Sequence, residues 1–156
     1  MVFEKNKVFK SRSSDVSMKR PGVGVGIIVT RKDYLVLLGK RKNAHGAGTW
    51  CFPGGHLEKN ESLDACVLRE LNEECGEDLK IKFLHDYPVA ATNDIFERER
   101  KHYATLYMRT EHVSGEAKVM EPDKCYEWKW FTWYNMPKKL FLPIKNLKKQ
   151  GYNPFR

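Results

Sequence analysis

Long hydrophobic runs are missing from this 156-residue chain, internal repeats are absent, and cysteines number only four. No apolar stretch approaches the ~18 residues that a membrane-spanning helix needs, which excludes an integral helical membrane protein. The cysteines form no CxxC pair and no dense framework, so neither a zinc finger nor a disulfide scaffold is expected. The N-terminus has no apolar segment of the secretory type. These absences predict a reduced, intracellular protein, which we expect in the cytoplasm.

The chain does contain enough apolar material for one folded domain. Hydrophobic residues make up 41% of it and aromatic residues 12%, which excludes a wholly disordered protein. The length fits a single domain of ordinary size. Residues 1–20 are polar and without periodicity, so we expect a flexible basic tail there and one folded domain over residues 21–156.

The net charge of +8 is concentrated at the two ends of the chain. Residues 1–20 carry six basic and two acidic side chains, and residues 138–156 carry six basic and no acidic ones. The segment between them is therefore slightly acidic. Basic ends attract polyanions weakly and in a salt-dependent way, but their commoner effect is solubility, so nucleic acid is not expected as the main partner.

Hydrophobic patterning predicts a mixed α/β domain with mostly antiparallel strands. From Gly22 to Thr30 glycine alternates with valine or isoleucine, which is typical of a strand with one bare face. That bare face indicates close approach of either a neighbouring element or a ligand. Further strands are predicted at 34–38, 49–52, 79–92, 102–113 and 126–133, loops at 39–48 and 93–101, and helices at 61–75 and 135–150.

The helix predicted at 61–75 carries an unusual arrangement of carboxylates. At ~100° per residue, Glu70, Glu73 and Glu74 share one arc of the helix and border the apolar stripe. A solvated charged face would lie opposite the core and pair each acid with a lysine at i+4. Here the i+4 partner of Glu70 is Glu74, a like charge that destabilises an isolated helix. The alternative interpretation is that these three acids form an acidic patch on the protein surface with no bound ion.

A divalent cation would neutralise such a cluster. Hard ions prefer oxygen ligands, and Mg²⁺ or Mn²⁺ suits a few carboxylates together with substrate phosphates. The ion would offset phosphate charge and make an attacking water more acidic. A carbonyl of the Gly54-Gly55 bend could complete the coordination, and Arg69 could orient a carboxylate by bidentate pairing.

The stretch from Gly55 also resembles the Nudix box, G-x5-E-x7-R-E-U-x-E-E-x-G-U. The matching positions are Gly55, Glu61, Arg69, Glu70, Leu71, Glu73, Glu74 and Gly76. The last apolar position of the motif is Glu77 here, and Leu79 could take over its packing. The likeness continues through PGVGVG at 21–26, LLGKRK at 37–42, EPDK at 121–124 and QGYNPF at 150–155. It resembles the MutT-like nucleotide triphosphate diphosphatases over about residues 20–156.

This resemblance implies a Nudix α/β/α sandwich with a mixed, largely antiparallel sheet. It implies Glu70 and Glu74 as metal ligands, Glu73 as a further ligand or base, and the Gly54 carbonyl nearby. Arg69 and Glu61 would be an orienting pair, and water would attack a bridging phosphorus to release pyrophosphate and a monophosphate. Members of this branch are commonly homodimers. The implied substrate contacts are Arg41, Lys40 and Gly55 near the phosphates; separately, Tyr103 and Phe141 are candidates for stacking on a base.

Two departures from the branch concern the substrate. Relatives often carry Glu two residues before the first Trp of W-x-W, where this chain has Tyr126 followed by Glu127. They also often read Leu-Phe-Trp where this chain has Leu142 in place of Trp.

Three functions therefore remain open. The first is a Mg²⁺-dependent pyrophosphohydrolase of nucleoside triphosphates, including oxidised or otherwise modified purine nucleotides. The second acts on another diphosphate: a capped RNA end, an isoprenoid diphosphate or dihydroneopterin triphosphate. The third is a non-catalytic nucleotide- or RNA-binding module.

Overall fold

A computed structural model describes residues 20–43 and 45–156. The predicted tail therefore lies, apart from Arg20, outside the described residues. In the described part the elements are, in chain order, β1 (Gly22–Arg31), β2 (Leu35–Arg41), β3 (Trp50–Cys51), β4 (Gly54–His56), α1 (Leu63–Cys75), β5 (Lys80–Phe83), β6 (Ala90–Phe96), β7 (Lys101–Ser114), β8 (Cys125–Thr132), a 3-10 turn (Trp133–Asn135) and α2 (Leu142–Lys149).

The strands form one mixed sheet around a parallel central pair. The main order is β3-β2-β1-β7-β5, with β4 joined to β1, β6 to β7 and β8 to β2. Only β1 and β7 run parallel among the described strands, over the register from Gly22 opposite Tyr103 to Thr30 opposite Glu111. Every other strand pairing described is antiparallel.

The two helices cover opposite faces of this sheet. Alternate residues of β1 point to opposite sides, so Ile27 packs with the α1 core and Ile28 with the α2 core. Four residues of α1 that belong to the first core are buried: Cys66, Val67, Leu71 and Cys75. Ile144 and Leu147 of α2 belong to the second. The predicted α/β/α sandwich is confirmed.

Helix α1 begins and ends where its sequence predicts. The Ser62 hydroxyl accepts a hydrogen bond from the Ala65 amide at 3.1 Å, so Ser62 rather than Asn60 caps the first turn. Gly76 follows the last residue with φ of 85°, a left-handed conformation that favours glycine, and its amide bonds the Asn72 carbonyl.

Several predicted boundaries are wrong. The strand predicted at 79–92 is two strands, β5 and β6, separated by a segment that includes Pro88, which has no amide to donate. The loop predicted at 93–101 is mostly a hairpin, because β6 continues to Phe96 and β7 begins at Lys101. Strand β2 extends to Arg41 into the loop predicted at 39–48.

The helix predicted from residue 135 begins only at Leu142. Pro137 interrupts the approach to it, and Pro143 occupies its first turn, where a missing amide is tolerated. Leu140 is buried in the second core but precedes the helix, so its helical spacing was misleading. Among the described residues, neither helix is long and apolar enough to cross a bilayer.

Candidate active site

One cavity of about 460 Å³ opens between the β1–β4 edge, α1, the loop after β2 and the start of α2. All ten residues singled out from the sequence as site residues line it: Lys40, Arg41, Gly54, Gly55, Arg69, Glu70, Glu73, Glu74, Tyr103 and Phe141. The lining residues include two chemically distinct groups. The carboxylate end consists of Glu58, Arg69, Glu70, Glu73, Glu74 and Glu121, and the aromatic end of Phe52, Phe96, Tyr103, Tyr107 and Phe141.

The Gly54-Gly55 bend presses the backbone against the acids of α1. Strand β4 pairs with β1, with Gly54 opposite Gly26, and a Cβ on Gly54 would overlap the Val25 carbonyl. A Cβ on Gly55 would overlap the carboxylate of Glu70. The Gly54 amide donates to Glu74 Oε2 at 3.4 Å. The two glycines are therefore needed for close approach, and they bring backbone groups to the carboxylates.

Arg69 joins the start of α1 to its acidic face. Its Nε and Nη2 donate to the two carboxylate oxygens of Glu61 at 2.7 and 2.9 Å, a bidentate pair. Its Nη1 donates to Glu70 Oε1 at 2.8 Å, and Nη2 also reaches the His56 carbonyl at 3.0 Å. Hydrogen bonds from Arg69 lower the pKa of Glu61 to about 2. The pairing of Arg69 with Glu61 is thus present, and it ties the loop after β4 to the helix.

The three acids of α1 occupy different environments. Glu70 is 8% exposed and Glu74 is half-buried, whereas the side chain of Glu73 is 53% exposed and lies 3.6 Å from Arg69 Nη1. Burial, and then the charge of Glu70, raises the pKa of Glu74 to about 8. Burial also raises the pKa of Glu70, against the opposing effect of Arg69. The acids do border the apolar stripe, as the helical wheel predicts.

These carboxylates suit a hard cation better than an open surface. Two partly buried like charges on successive turns disfavour each other's ionised form, and oxygen donors are what a divalent ion such as Mg²⁺ binds. Within residues 20–43 and 45–156, no three His, Cys, Asp or Glu side chains are already gathered closely as a metal site. The Gly54-Gly55 backbone and a fourth acid extend the donor set.

That fourth acid is Glu121, which sequence reasoning missed. Glu121 lines the cavity, and its charge contributes to the raised pKa of both Glu70 and Glu74. Its carboxylate is held by Lys124 Nζ at 3.0 Å. Tyr126, which stands where the resembled branch often has Glu, and the adjacent Glu127 are both exposed and do not line the cavity. The EPDK match at 121–124 was the available signal.

Positive charge lies beside the carboxylate end. The Arg41 guanidinium donates to the His45 carbonyl at 3.0 Å and stacks 4.1 Å from the centre of the Phe141 ring. Lys40 also lines the cavity, with its ammonium 5.7 Å from the centre of the exposed Tyr126 ring. These cations face a space that could take the phosphates of a nucleotide.

The aromatic end is assembled from distant parts of the chain. Phe96 lies 5.3 Å from Phe141 and 6.3 Å from Tyr103, centre to centre, and His45 lies over Phe96 at 4.7 Å. The Tyr103 hydroxyl contacts His56 Nε2 at 3.0 Å. Burial, and then the charge of Arg41, lowers the pKa of His45 to about 4, so its ring is neutral at neutral pH. Leu142 does not line the cavity.

Phe96 was missed because residues 93–101 were read as a loop. On the bare face of β1 a neighbouring element approaches closely, because the Tyr107 ring covers Gly26, where a Cβ would lie 2.9 Å from it. Gly24 lines the cavity beside Thr105, and close approach of a ligand there stays a prediction.

Comparisons with known proteins agree with this geometry. Residues 20–150 match the family model of the NUDIX domain. The chain is 33% identical over 128 residues to the ADP-ribose pyrophosphatase of Methanocaldococcus jannaschii, an alignment covering 82% of this chain and 72% of that protein. It is 37% identical over 59 residues to the 8-oxo-dGTP diphosphatase of Escherichia coli, covering 38% and 46%.

A solved structure supports the same assignment. The crystal structure of a MutT NUDIX hydrolase from Burkholderia pseudomallei superimposes with a TM-score of 0.71 at 30% identity, covering 83% of this chain and 98% of that one. Its fold, the matched family model and the acidic motif on α1 lead to one conclusion. The chain belongs to the NUDIX family, as a MutT-like Nudix hydrolase acting on diphosphates.

Proposed function

We propose that this protein is a Mg²⁺-dependent pyrophosphohydrolase that cleaves nucleoside triphosphates to the monophosphate and pyrophosphate. The observation that carries the proposal is that one cavity is lined both by the carboxylates of α1 and by aromatic rings. Two cations, Lys40 and Arg41, line the same cavity. Such a cavity offers acids for a metal ion that would hold the phosphates, cations beside the phosphates, and aromatic faces for the base.

Glu70 and Glu74 are the metal ligands in this proposal, with Glu73 as a further ligand or the base and the Gly54 carbonyl nearby. Nudix hydrolases generally use divalent metal ions, and Mn²⁺ could replace Mg²⁺. The bound ion would supply charge neutralisation of the phosphates and a more acidic attacking water. Glu73 is the best placed of the three to take a proton, because its carboxylate is exposed to solvent in the cavity.

The remaining residues position these groups and the substrate. Arg69 holds Glu70 and Glu61 in place, so it orients rather than reacts. Lys40, Arg41 and the Gly55 backbone bind phosphate oxygens. Tyr103 and Phe141 stack on the base, since aromatic faces accept any base surface.

The test is pyrophosphate release over a panel of nucleoside and deoxynucleoside triphosphates, including oxidised purines, with Mg²⁺. We expect turnover of at least some of them, and Glu74→Gln, which keeps size and loses charge, removes it while the fold stays intact by circular dichroism. Glu127→Gln is the matched control, because Glu127 is exposed outside the cavity. Turnover of no triphosphate would contradict the proposal.

ADP-ribose belongs in the same panel, because the relative from Methanocaldococcus jannaschii is an ADP-ribose pyrophosphatase. Cleavage of ADP-ribose without cleavage of any triphosphate would replace the proposed substrate and leave the metal site unchanged. The panel also includes a capped RNA, assayed at several salt concentrations. Loss of activity with rising salt and on removal of residues 1–20 would favour RNA as the substrate. Tight nucleotide binding without turnover would favour a non-catalytic module.

A homodimer in the cytoplasm completes the proposal, and its support is the resemblance to the MutT-like branch. Light scattering at micromolar concentration measures the mass directly. A mass near 18.3 kDa would contradict the dimer.

A further inference from the structure

A cation, Lys124, lies beside Glu121 at the carboxylate end. Lys124 lines the cavity, and its ammonium donates to Glu121 Oε2 at 3.0 Å. The side chain of Lys124 is 63% exposed and that of Glu121 is 30% exposed. An ion pair this open to water contributes little to stability, so its members can change partners at small cost.

The backbone that carries this pair is tied to the rest of the domain on both sides. The Met120 amide donates to the Glu74 carbonyl at 3.4 Å, which joins the loop to the end of α1. The Lys124 carbonyl accepts from the Lys42 amide at 2.8 Å, which joins it to the residue after β2. The Lys124 amide also donates to the Glu121 carbonyl at 2.9 Å. The loop therefore keeps both side chains at the cavity, and a change of partner requires only side-chain motion.

Lys124 also interacts with an acid of α1. The hydrogen bond and the charge of Glu121, and then the charges of Asp123 and Glu74, raise the pKa of Lys124, so it stays a cation at neutral pH. A cation and a divalent metal ion that neutralise the same carboxylates oppose each other's binding. An ammonium also has three protons to donate, and phosphate oxygens accept them readily. Lys124 thus has two kinds of partner at this cavity, the acids and the phosphates of a bound nucleotide.

Lys40 and Arg41, the cations already proposed to bind phosphate, are held differently. The Arg41 guanidinium stacks on the Phe141 ring. The Lys40 ammonium lies over the Tyr126 ring. Aromatic rings position both of these cations, whereas Lys124 is paired with an acid of the carboxylate end. Among these three cations, Lys124 is therefore the one whose pairing depends on the charge of the carboxylate end.

We infer that Lys124 couples metal binding to nucleotide binding. Its ammonium offsets the negative charge of Glu121 and Glu74 while no nucleotide is bound, and it donates to phosphate oxygens when a nucleotide is present. Lys124 therefore opposes the metal ion in the first case and holds the nucleotide in the second. Such coupling is reciprocal, so each ligand should strengthen the binding of the other. The inference rests on the proposed function and adds a residue that regulates the same site.

Lys124→Gln tests both parts of this inference. Without nucleotide, the variant should bind Mn²⁺ about three- to tenfold more tightly than the wild type, because a competing charge is gone. With Mg²⁺ present, it should bind the α,β-methylene analogue of dGTP about tenfold more weakly, because a charged donor to phosphate is lost. The methylene bridge replaces the bond that the proposed reaction cleaves. Electron paramagnetic resonance measures the first affinity and calorimetry the second, so neither measurement depends on turnover.

Two further variants serve as controls. Lys124→Arg keeps the charge and should restore both affinities to near the wild-type values. Lys118→Gln removes a lysine of matched exposure, 64%, whose partner is the exposed Asp78 outside the cavity, and it should leave both affinities unchanged. In Lys124→Gln, an unchanged affinity for either ligand would overturn the inference. A merely structural role of Lys124 would weaken the binding of both ligands together, which would also overturn it.

The proposed function can fail separately from this inference. Cleavage of no triphosphate by the wild type would contradict the proposed function and would leave the comparison of affinities between wild type and Lys124→Gln intact. If the wild type does not bind the analogue, the Mn²⁺ affinity decides the inference: tighter binding in Lys124→Gln supports it, and equal binding overturns it.

Discussion

The two ends of the cavity are built in opposite ways. Most of the carboxylate end comes from one continuous segment, Gly54 to Glu74, in which a glycine bend and one helix bring the acids together. The aromatic end takes its five residues from four separate places in the chain: Phe52, Phe96, the pair Tyr103 and Tyr107 on β7, and Phe141. Local geometry therefore determines where reaction chemistry is possible, and tertiary packing determines which base would fit beside it.

This difference has a physical origin. Residues four apart on a helix lie on one face whatever surrounds the helix. The spacing of Glu70 and Glu74 therefore places the two carboxylates side by side without any tertiary contact. Phe96 and Phe141 are 45 positions apart and meet only because the β6–β7 hairpin and the start of α2 pack on the same side of the sheet. Changes at the carboxylate end should lower the rate, and changes at the aromatic end should alter substrate affinity.

After the loss of turnover expected for Glu74→Gln, the largest effect is expected for Gly55→Ala at the carboxylate end. Its new Cβ would overlap the Glu70 carboxylate and push it away from its position. A misplacement of about 1 Å can lower a rate roughly 100-fold, so kcat should fall at least that far. Gly48→Ala is the control, because its Cβ would enter open space, although its φ of 81° adds strain there too. Equal kcat values for Gly55→Ala and the wild type would show that Glu70 is not held by this contact.

Glu121→Gln should have the next largest effect. Its charge acts on Glu70 and Glu74, and groups that support a metal site typically contribute about 10–100-fold to activity or metal affinity. Activity should fall by that factor, and the Mg²⁺ concentration for half-maximal rate should rise. Glu127→Gln should behave like the wild type. A drop in activity for Glu127→Gln instead would assign the role of loop acid to Glu127, beside Tyr126, and not to Glu121.

At the aromatic end, Phe141→Ala should raise KM by about tenfold and leave kcat nearly unchanged. Stacking on one aromatic ring contributes ~1–3 kcal/mol, and this ring takes no part in the reaction. Phe131→Ala is the control: Phe131 packs against Trp50 outside the cavity, so it should affect stability and not KM. A fall in kcat at constant KM would contradict the division between the two ends.

The smallest effect is expected for Glu61→Gln, which should change the stability of the folded protein at acid pH. Hydrogen bonds from Arg69 lower the pKa of Glu61 to about 2 from a usual value of 4.5. The folded state thus binds fewer protons than the unfolded state between these values, and the stabilisation is present above about pH 4.5 and is lost as pH falls toward 2. Denaturant titrations should show wild type and Glu61→Gln converging in stability over that range. If the stability difference between wild type and Glu61→Gln stayed constant from pH 5 to pH 2, the hydrogen bonds from Arg69 to ionised Glu61 would not be the source of the stabilisation.

The elements that could be predicted from sequence are those with strong local signals. Helix α1 has its serine cap, apolar stripe and glycine end in one continuous segment, and it forms as predicted. The failures occur where polar residues are buried by tertiary contacts. Asn93 and Asp94 read as loop residues, yet Asp94 is fully buried in β6, because Thr92, Thr105 and Asn146 supply its hydrogen bonds. A residue's own polarity does not reveal partners 11 or 52 positions away.

Glu121 illustrates the same limit inside the candidate site. The sequence points to Tyr126 and Glu127, beside Trp128, as the place of a loop acid, yet both are exposed and neither lines the cavity. The fold instead points Glu121 toward the acids of α1.

The residue pattern by itself determined a mixed α/β domain, the acidic helix and its glycine bend, since these depend on periodicity and on contacts between near neighbours. Packing decided how the aromatic rings meet, which loop acid joins the cavity, and how the buried Asp94 finds its hydrogen-bond donors. Those features depend on contacts between strands and helices far apart in sequence, whose geometry exists only after the sheet has formed.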